Sequence, residues 1–323
     1  MGKNKVEYKP DEHGALYNFF ASIGHHWLKL MSTNVLFVVF NIPMMLVAFA
    51  IVLIILPTLN EVFVPENFVA FFNSLGVTGN EAIANDVGAS AAYQVYYLIT
   101  LFCVMFLLGS SLVCVGPFQA GFSTIYRNIA RGQGAFIWAD FKDGLKNNWK
   151  QSLIAMFISL IVTVICGVAV GFYSASMSKI GTGISMFFVF IFFSFVVIQN
   201  IVYQMIVSVD LPLSKIYKNA CLFFFLKFGP WIGIWAVAMF LLLLVPFLLL
   251  FTTTYFAYAV TVFYYLTVVC SLVQYMFSFY TTELIGIYIG KPKSYDDIED
   301  DETYDEEETE SSGNSDNETE VET

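Results

Sequence analysis

"TNVLFVVFNIPMMLVAFAIVLIILP" (Thr33–Pro57) runs for 25 residues without a Lys, Arg, Asp or Glu. A bilayer's hydrocarbon core is crossed by about 20 predominantly apolar residues in a helix, so this stretch is long enough to span one. Its interior Pro43 is of a kind that membrane helices tolerate, because neighbours re-satisfy the freed carbonyl. Five more stretches read the same way: 93–115, 152–175, 184–208, 230–251 (with Pro246 inside) and 256–280. Only 252–255 divides the last two, where Thr252, Thr253 and Thr254 allow a short turn. The fold class expected is all-α, a polytopic membrane helix bundle of about six transmembrane helices.

Composition agrees. Hydrophobic residues make up 58% of the chain and charged ones 13%, against about 45–50% and 25% in soluble globular domains. The net charge of −11 hides two opposite regions. All 15 acidic residues of 294–323 occur without a single Lys or Arg, so the remainder carries 15 basic and 11 acidic residues, or +4. Residues 1–13 read as a polar N-terminus with no removable signal peptide, 14–290 as the membrane domain and 291–323 as an acidic tail too polar to fold. Cys103, Cys114, Cys166, Cys221 and Cys270 lie in or beside apolar stretches with no C-x-x-C spacing, which fits apolar packing residues.

Orientation follows the Lys and Arg residues. Fourteen of the 15 fall before span one, in the 116–151 and 209–229 connectors, or after span six; only Lys179 falls on the other side. This places both termini in the cytoplasm. Within 116–151, Trp138, Phe141, Leu145 and Trp149 share a helical face. Lys142, Lys146 and Lys150 share a neighbouring one, as in a helix lying in the headgroup layer. Phe19, Ile23 and Trp27 repeat that spacing before span one, "GHHWLK" (24–29) opposite "KNNWKQ" (146–151), and "LSKIYKNACLF" (213–223) is a weaker echo. Either these mark a unit of one elbow helix plus a two-helix hairpin, used three times, or the likeness is chance among biased segments.

"GPFQAGFSTIYRNIARGQ" (116–133) running into "WADFKDGLKNNWKQ" (138–151), with "YQMIVSVDLPLSKIYKNACLF" (203–223), resembles the YesL family of bacterial membrane proteins, over about residues 14–288. The long 58–92 loop and the acidic tail depart from the family pattern. The resemblance implies a bacterial plasma (inner) membrane protein. It also implies an accessory role in carbohydrate uptake with ABC-type sugar permease subunits as partners, since family genes typically neighbour those for polysaccharide breakdown and sugar import. The family itself has no agreed biochemical activity.

Enzyme motifs are absent, and no cofactor or nucleic-acid partner is expected. His13, His25 and His26 lack a third clustered ligand. "GIYIGK" (286–291) is one residue short of a phosphate loop and lacks its Ser or Thr. Gln199, Asn200, Tyr203 and Gln204 form a polar stripe on span four, with Gln274 in span six and Asn41 in span one. Amides at such depth are costly unless paired, and they read either as interhelical hydrogen-bond glue or as a pathway. Gly167 and Gly171 form a G-x-x-x-G for packing within the bundle or in a dimer. Arg127, Arg131, Asp140, Lys142, Lys146, Trp149 and Lys150 are the candidate contacts for a cytoplasmic partner or lipid. In "ENFVAFFNSLG" (66–76) Phe68, Phe72 and Leu75 share a face, which predicts a short interfacial helix. The tail reads as solubilising or as a dock for a basic surface. Besides the accessory role, an autonomous small-solute or lipid translocator and a membrane scaffold are the competing functions, and the oligomeric state is open.

Overall fold

The computed structural model describes residues 14–75, 84–133, 135–176, 178–250 and 255–289; the polar N-terminus, the Thr252–Thr254 turn and the acidic tail lie outside the described residues. The apolar stretches are helical, and no strand occurs among the described residues. The helices are α1 (Ala15–Phe40), α2 (Ile42–Leu59), α3 (Pro65–Ser74), α4 (Ala84–Gly109), α5 (Gly116–Ala130), α6 (Ile137–Ala175), α7 (Lys179–Ser208), α8 (Leu213–Leu226), α9 (Phe228–Leu250), α10 (Tyr255–Tyr264) and α11 (Cys270–Tyr288). Five segments are long and apolar enough to cross a membrane: 42–59, 92–109, 137–175, 179–208 and 259–288. Counting α8 with the start of α9 as one bent span gives six. These are the helices of a multi-pass membrane protein. By its contacts the chain divides into Met1–Thr282 and Glu283–Thr323; the account below concerns the first.

Several boundaries differ from the sequence reading, each for a local reason. The Thr33–Pro57 stretch is broken at Asn41 (φ −96°, ψ 8°), which ends α1 just ahead of Pro43, a residue with no N–H to give. The helix of span two stops at Gly109, not at residue 115. Gly109-Ser110-Ser111 is a turn-forming run, and Ser111 takes a positive φ of 60°. The 116–151 connector is no loop, since residues 116–130 form α5, with eleven of its fifteen residues buried.

Two of the three elbows bend where they meet their spans. Helix α1 kinks at His26 (φ −113°, ψ 17°), and α8 meets α9 at 92°, where Lys227 (φ −121°, ψ 40°) interrupts the helix and Gly229 and Pro230 lie in the first turn of α9. The middle elbow does not bend. It runs straight into its span as the 39-residue α6, because "LKNNWKQSLIA" (145–155) contains neither Gly nor Pro. At 1.5 Å per residue α6 is about 58 Å long, well beyond a core of about 30 Å. Its first turns therefore stand outside the apolar layer.

Small residues let the helices approach. Around α5 and α6, a Cβ on Gly116 would strike the Ser152 carbonyl, one on Gly121 would lie 2.6 Å from the Phe141 ring, and one on Gly144 would strike Thr124. Gly167 and Gly171 face Ile55 and Thr58 of α2, so the G-x-x-x-G packs inside the bundle. Helix α3 realises the short helix predicted over 66–76. Phe68 is its buried anchor, edge-on to Tyr96 of α4 at 5.5 Å, while Leu75 is exposed.

A Cβ on Gly171 would sit 2.8 Å from Thr58 Oγ1 and 2.9 Å from its carbonyl oxygen, whereas one on Gly183 meets nothing within 4 Å. Gly171→Leu is therefore expected to cost about 1–3 kcal/mol through overpacking, and Gly183→Leu to be neutral or slightly stabilising through helix propensity. Thermal unfolding of the purified protein in detergent checks the contrast; equal midpoints for the two variants would contradict this packing.

Candidate functional site

The polar stripe of α7 is buried throughout: Gln199, Asn200, Tyr203 and Gln204 are all nearly inaccessible. Each has a partner on another element. Asn200 Nδ2 donates to Ser110 O on the broken segment after α4, and to Val196 O, both at 2.9 Å. Its Oδ1 accepts from Ser111 Oγ at 3.0 Å. Gln199 Nε2 donates to Ala155 O on α6 at 3.2 Å, and its Oε1 accepts from Tyr217 on α8 at 3.0 Å. Tyr203 accepts a thiol hydrogen bond from Cys114 at 3.7 Å. Gln204 accepts from Ser278 Oγ at 2.6 Å and donates to Thr282 Oγ1 at 2.9 Å. Gln274 accepts from Gln119 Nε2 at 3.3 Å and donates to Leu108 O at 3.4 Å.

Asn41, already noted in sequence, and several residues that the sequence reading passed over complete this core. Gln119 on α5 also donates to Ser111 Oγ at 3.1 Å. Asn41 accepts the Val115 N–H at 2.8 Å and donates to Phe37 O at 2.9 Å. Asn34 is fully buried; it donates to Tyr265 O at 2.9 Å and accepts the Ser271 N–H at 2.7 Å. These two groups flank the π-helical turn Tyr265–Val269. Tyr126 and Ser271 bond at 2.7 Å, as do Ser22 and Tyr275 at 2.5 Å. The signal for Ser111 was the Gly109-Ser110-Ser111 run, and the signal for α5 was Pro117 at a helix start.

A second polar grouping lies where α5 ends, α6 begins and α7 ends. Arg127 donates to Val207 O and Gln151 Nε2 to Leu211 O at 3.2 Å, which fastens these three segments together at one end of the bundle. A cavity of about 690 Å³ opens here, lined by Arg127, Lys150, Asp143, Asp210, Asn147 and Ser208 among others. Arg127 Nε and Nη2 both donate to Asn128 Oδ1 at 3.2 Å. Burial lowers its pKa, against the attraction of Asp140. Burial, together with the nearby Arg127 charge, brings Arg131 down to about 10. Both guanidinium groups stay cationic at neutral pH.

The remaining residues singled out by sequence spread over the outer side of α6. Asp140 Oδ2 accepts the Phe136 N–H at 2.9 Å and so closes the start of the helix. Lys142 lies 5.0 Å above the Trp138 ring and Lys150 5.6 Å above that of Trp149. Both Trp rings are about half exposed, and Lys146 is exposed. Phe141, by contrast, is buried against Phe122 of α5 at 4.9 Å. The helical face drawn from sequence is thus divided: Phe141 holds α6 to the bundle, while the two Trp rings face outward. Of the seven residues named, only Arg127, Trp149 and Lys150 line the cavity.

A family model described as a protein of unknown function, DUF624, matches residues 95–172. The DUF624 match covers most of α4, the break after it, α5 and nearly all of α6. It thereby includes Ser111, Gln119, Arg127 and Lys150, but not the α7 stripe. No curated protein and no solved structure matches the chain.

If the Asn200–Ser111 contact holds the α4 break against α7, the two side chains must be energetically coupled. A cycle of Asn200→Leu, Ser111→Ala and the double variant, read by thermal or denaturant unfolding, is expected to give a coupling of about 0.5–2 kcal/mol. Strict additivity would show that the bond contributes nothing.

Proposed function

We propose that this chain is a non-enzymatic protein of the bacterial plasma membrane, with both termini cytoplasmic, that assists or regulates carbohydrate uptake by contacting ABC-type sugar permease subunits. The observation that carries this is where the charged groups lie. The deep amides Gln199, Asn200, Gln204 and Gln274 are engaged by neighbouring helices, so they offer no free lining for a hydrophilic solute. A cavity of about 340 Å³ between α2, α4, α6, α7 and α9 is lined mainly by apolar residues such as Ile55, Phe106 and Val170, with Thr163 among them. Charged and amide groups collect instead at the end formed by α5, the start of α6 and the end of α7.

The distribution of Lys and Arg supports a cytoplasmic location for that end. The half-exposed Trp138 and Trp149, each beneath a lysine, suit a helix at a membrane–water interface with its cations turned to water. The tie to carbohydrate rests on the likeness to the YesL family; the DUF624 match adds no activity. Contact through exposed lysines and aromatic rings needs no catalytic group, in keeping with the lack of an enzyme motif in the sequence.

The test is purification of the tagged full-length chain from native membranes. Stoichiometric recovery of sugar permease subunits is expected, with Lys142→Gln plus Lys146→Gln reducing that recovery several-fold at unchanged helical content, because both lysines are exposed. Recovery of the protein alone, together with solute flux in liposomes, would replace this reading with that of an autonomous translocator.

A further inference from the structure

The cavity at the end of α5 is lined by hydrogen-bond donors and charges that their protein partners engage only in part. An Arg guanidinium has five N–H donors. Arg127 commits three of them, one each from Nε, Nη1 and Nη2, to Asn128 and Val207, which leaves two. Those bonds also fix the plane of the group, so the two free N–H groups are pre-oriented for an oxyanion. Ser208, whose buried hydroxyl has no hydrogen-bond partner among the described residues, borders the same space as Lys150. Asp143 and Asp210 also line the cavity. Among the described residues, neither forms an ion pair within 4.0 Å with Arg127 or Lys150.

Opposite charges that face one cavity without closing on each other are held apart by the helices that carry them. Arg127 belongs to α5, Lys150 and Asp143 to α6, and Asp210 to the segment after α7. A ligand bearing a single charge would satisfy one set and leave the other facing it. We infer that this cavity binds a zwitterionic phosphoester of the phosphoethanolamine type, its phosphate on Arg127 and Lys150 and its ammonium on Asp143 and Asp210. A volume of about 690 Å³ falls within the usual range for small-molecule sites, about 300–1,000 Å³. The half-exposed Trp149 beside Lys150 suits a site at headgroup depth. The inference does not depend on a permease partner, since it concerns only what occupies the cavity.

The test is native mass spectrometry, with thermal unfolding in parallel, on the purified full-length protein in a non-ionic detergent. The probes are dihexanoylphosphatidylethanolamine, the water-soluble glycerophosphoethanolamine, and dihexanoylphosphatidylglycerol. The ethanolamine lipid is expected to bind and raise the unfolding midpoint, and to bind about tenfold or more tightly than the glycerol lipid. Equal binding of glycerophosphoethanolamine would identify a soluble ester as the source; its failure beside a bound lipid would identify a membrane headgroup. Either result supports the inference.

Arg127→Gln is expected to weaken binding about tenfold or more, the effect of losing a charge-assisted hydrogen bond. Because that residue also ties α5 to α7, Lys150→Gln and Asp210→Asn serve as exposed variants that leave the fold alone. Lys150→Gln should weaken every phosphate probe, and Asp210→Asn only the ammonium-bearing ones, by about three- to fivefold. Binding of the glycerol lipid as tight as that of the ethanolamine lipid, indifference to Asp210→Asn, or no binding of any probe would overturn the inference.

Discussion

An apolar solvent leaves a broken helix nowhere to put its backbone N–H and C=O groups, and this chain breaks its helices several times within or beside spans. Each break is met by a particular side chain. Asn41 takes up the Phe37 carbonyl at the α1–α2 break and the Val115 N–H just ahead of α5. Asn200 and Ser111 close the segment after α4, and Asn34 brackets the π-helical turn. Trp231 donates to Phe223 O at 3.1 Å where α8 turns into α9. An unsatisfied buried backbone group costs about 1–3 kcal/mol or more, so these residues are conditions of the architecture and not additions to it.

The breaks permit the feature that organises the bundle. Ending α4 at Gly109 lets the chain turn at Ser111 and insert α5, a helix too short and too polar to cross a membrane, against α6 and α7. Glycines at 116, 121 and 144 remove the side chains that would keep α5 and α6 apart. With α5 in place, Gln119 reaches Ser111 and Gln274, Tyr126 reaches Ser271, and Arg127 reaches the end of α7. One inserted helix thus joins the core amides to the charged end. The DUF624 match falls on this unit, from α4 through α6.

What could be read from sequence follows from what hydropathy measures. The spans were legible because an apolar run of about 20 residues has few other uses. The elbow around Trp138–Trp149 was legible because its pattern repeats every three to four residues. The burial of α5 was not: Gly, Ser, Thr, Gln and Asn give 116–130 the composition of a connector, and the same small polar residues suit close packing between helices. Asn41 was seen as a costly amide within a span, but not as the residue that ends a helix, because its partner Val115 lies 74 positions away. The stripe residues of α7 were legible by spacing. Their partners Ser110, Ala155 and Tyr217 were not, since one helix's periodicity carries no record of its neighbours.

These two uses of polarity limit what the chain can do. An amide that completes a helix break cannot also release and rebind a passing solute without exposing the carbonyl it covers, at a cost of the same order as the bond. Asn200 and Gln274, each bonded to a backbone carbonyl in or beside the α4 break, are therefore fixed parts. Arg127 is different: its fixed bonds leave part of the guanidinium free, and its surroundings supply charges of both signs that are not paired off. The internal polarity of the bundle is bonded within the bundle, whereas the polarity at the end of α5 is only partly engaged, and the proposed recognition of a ligand or partner rests on that difference.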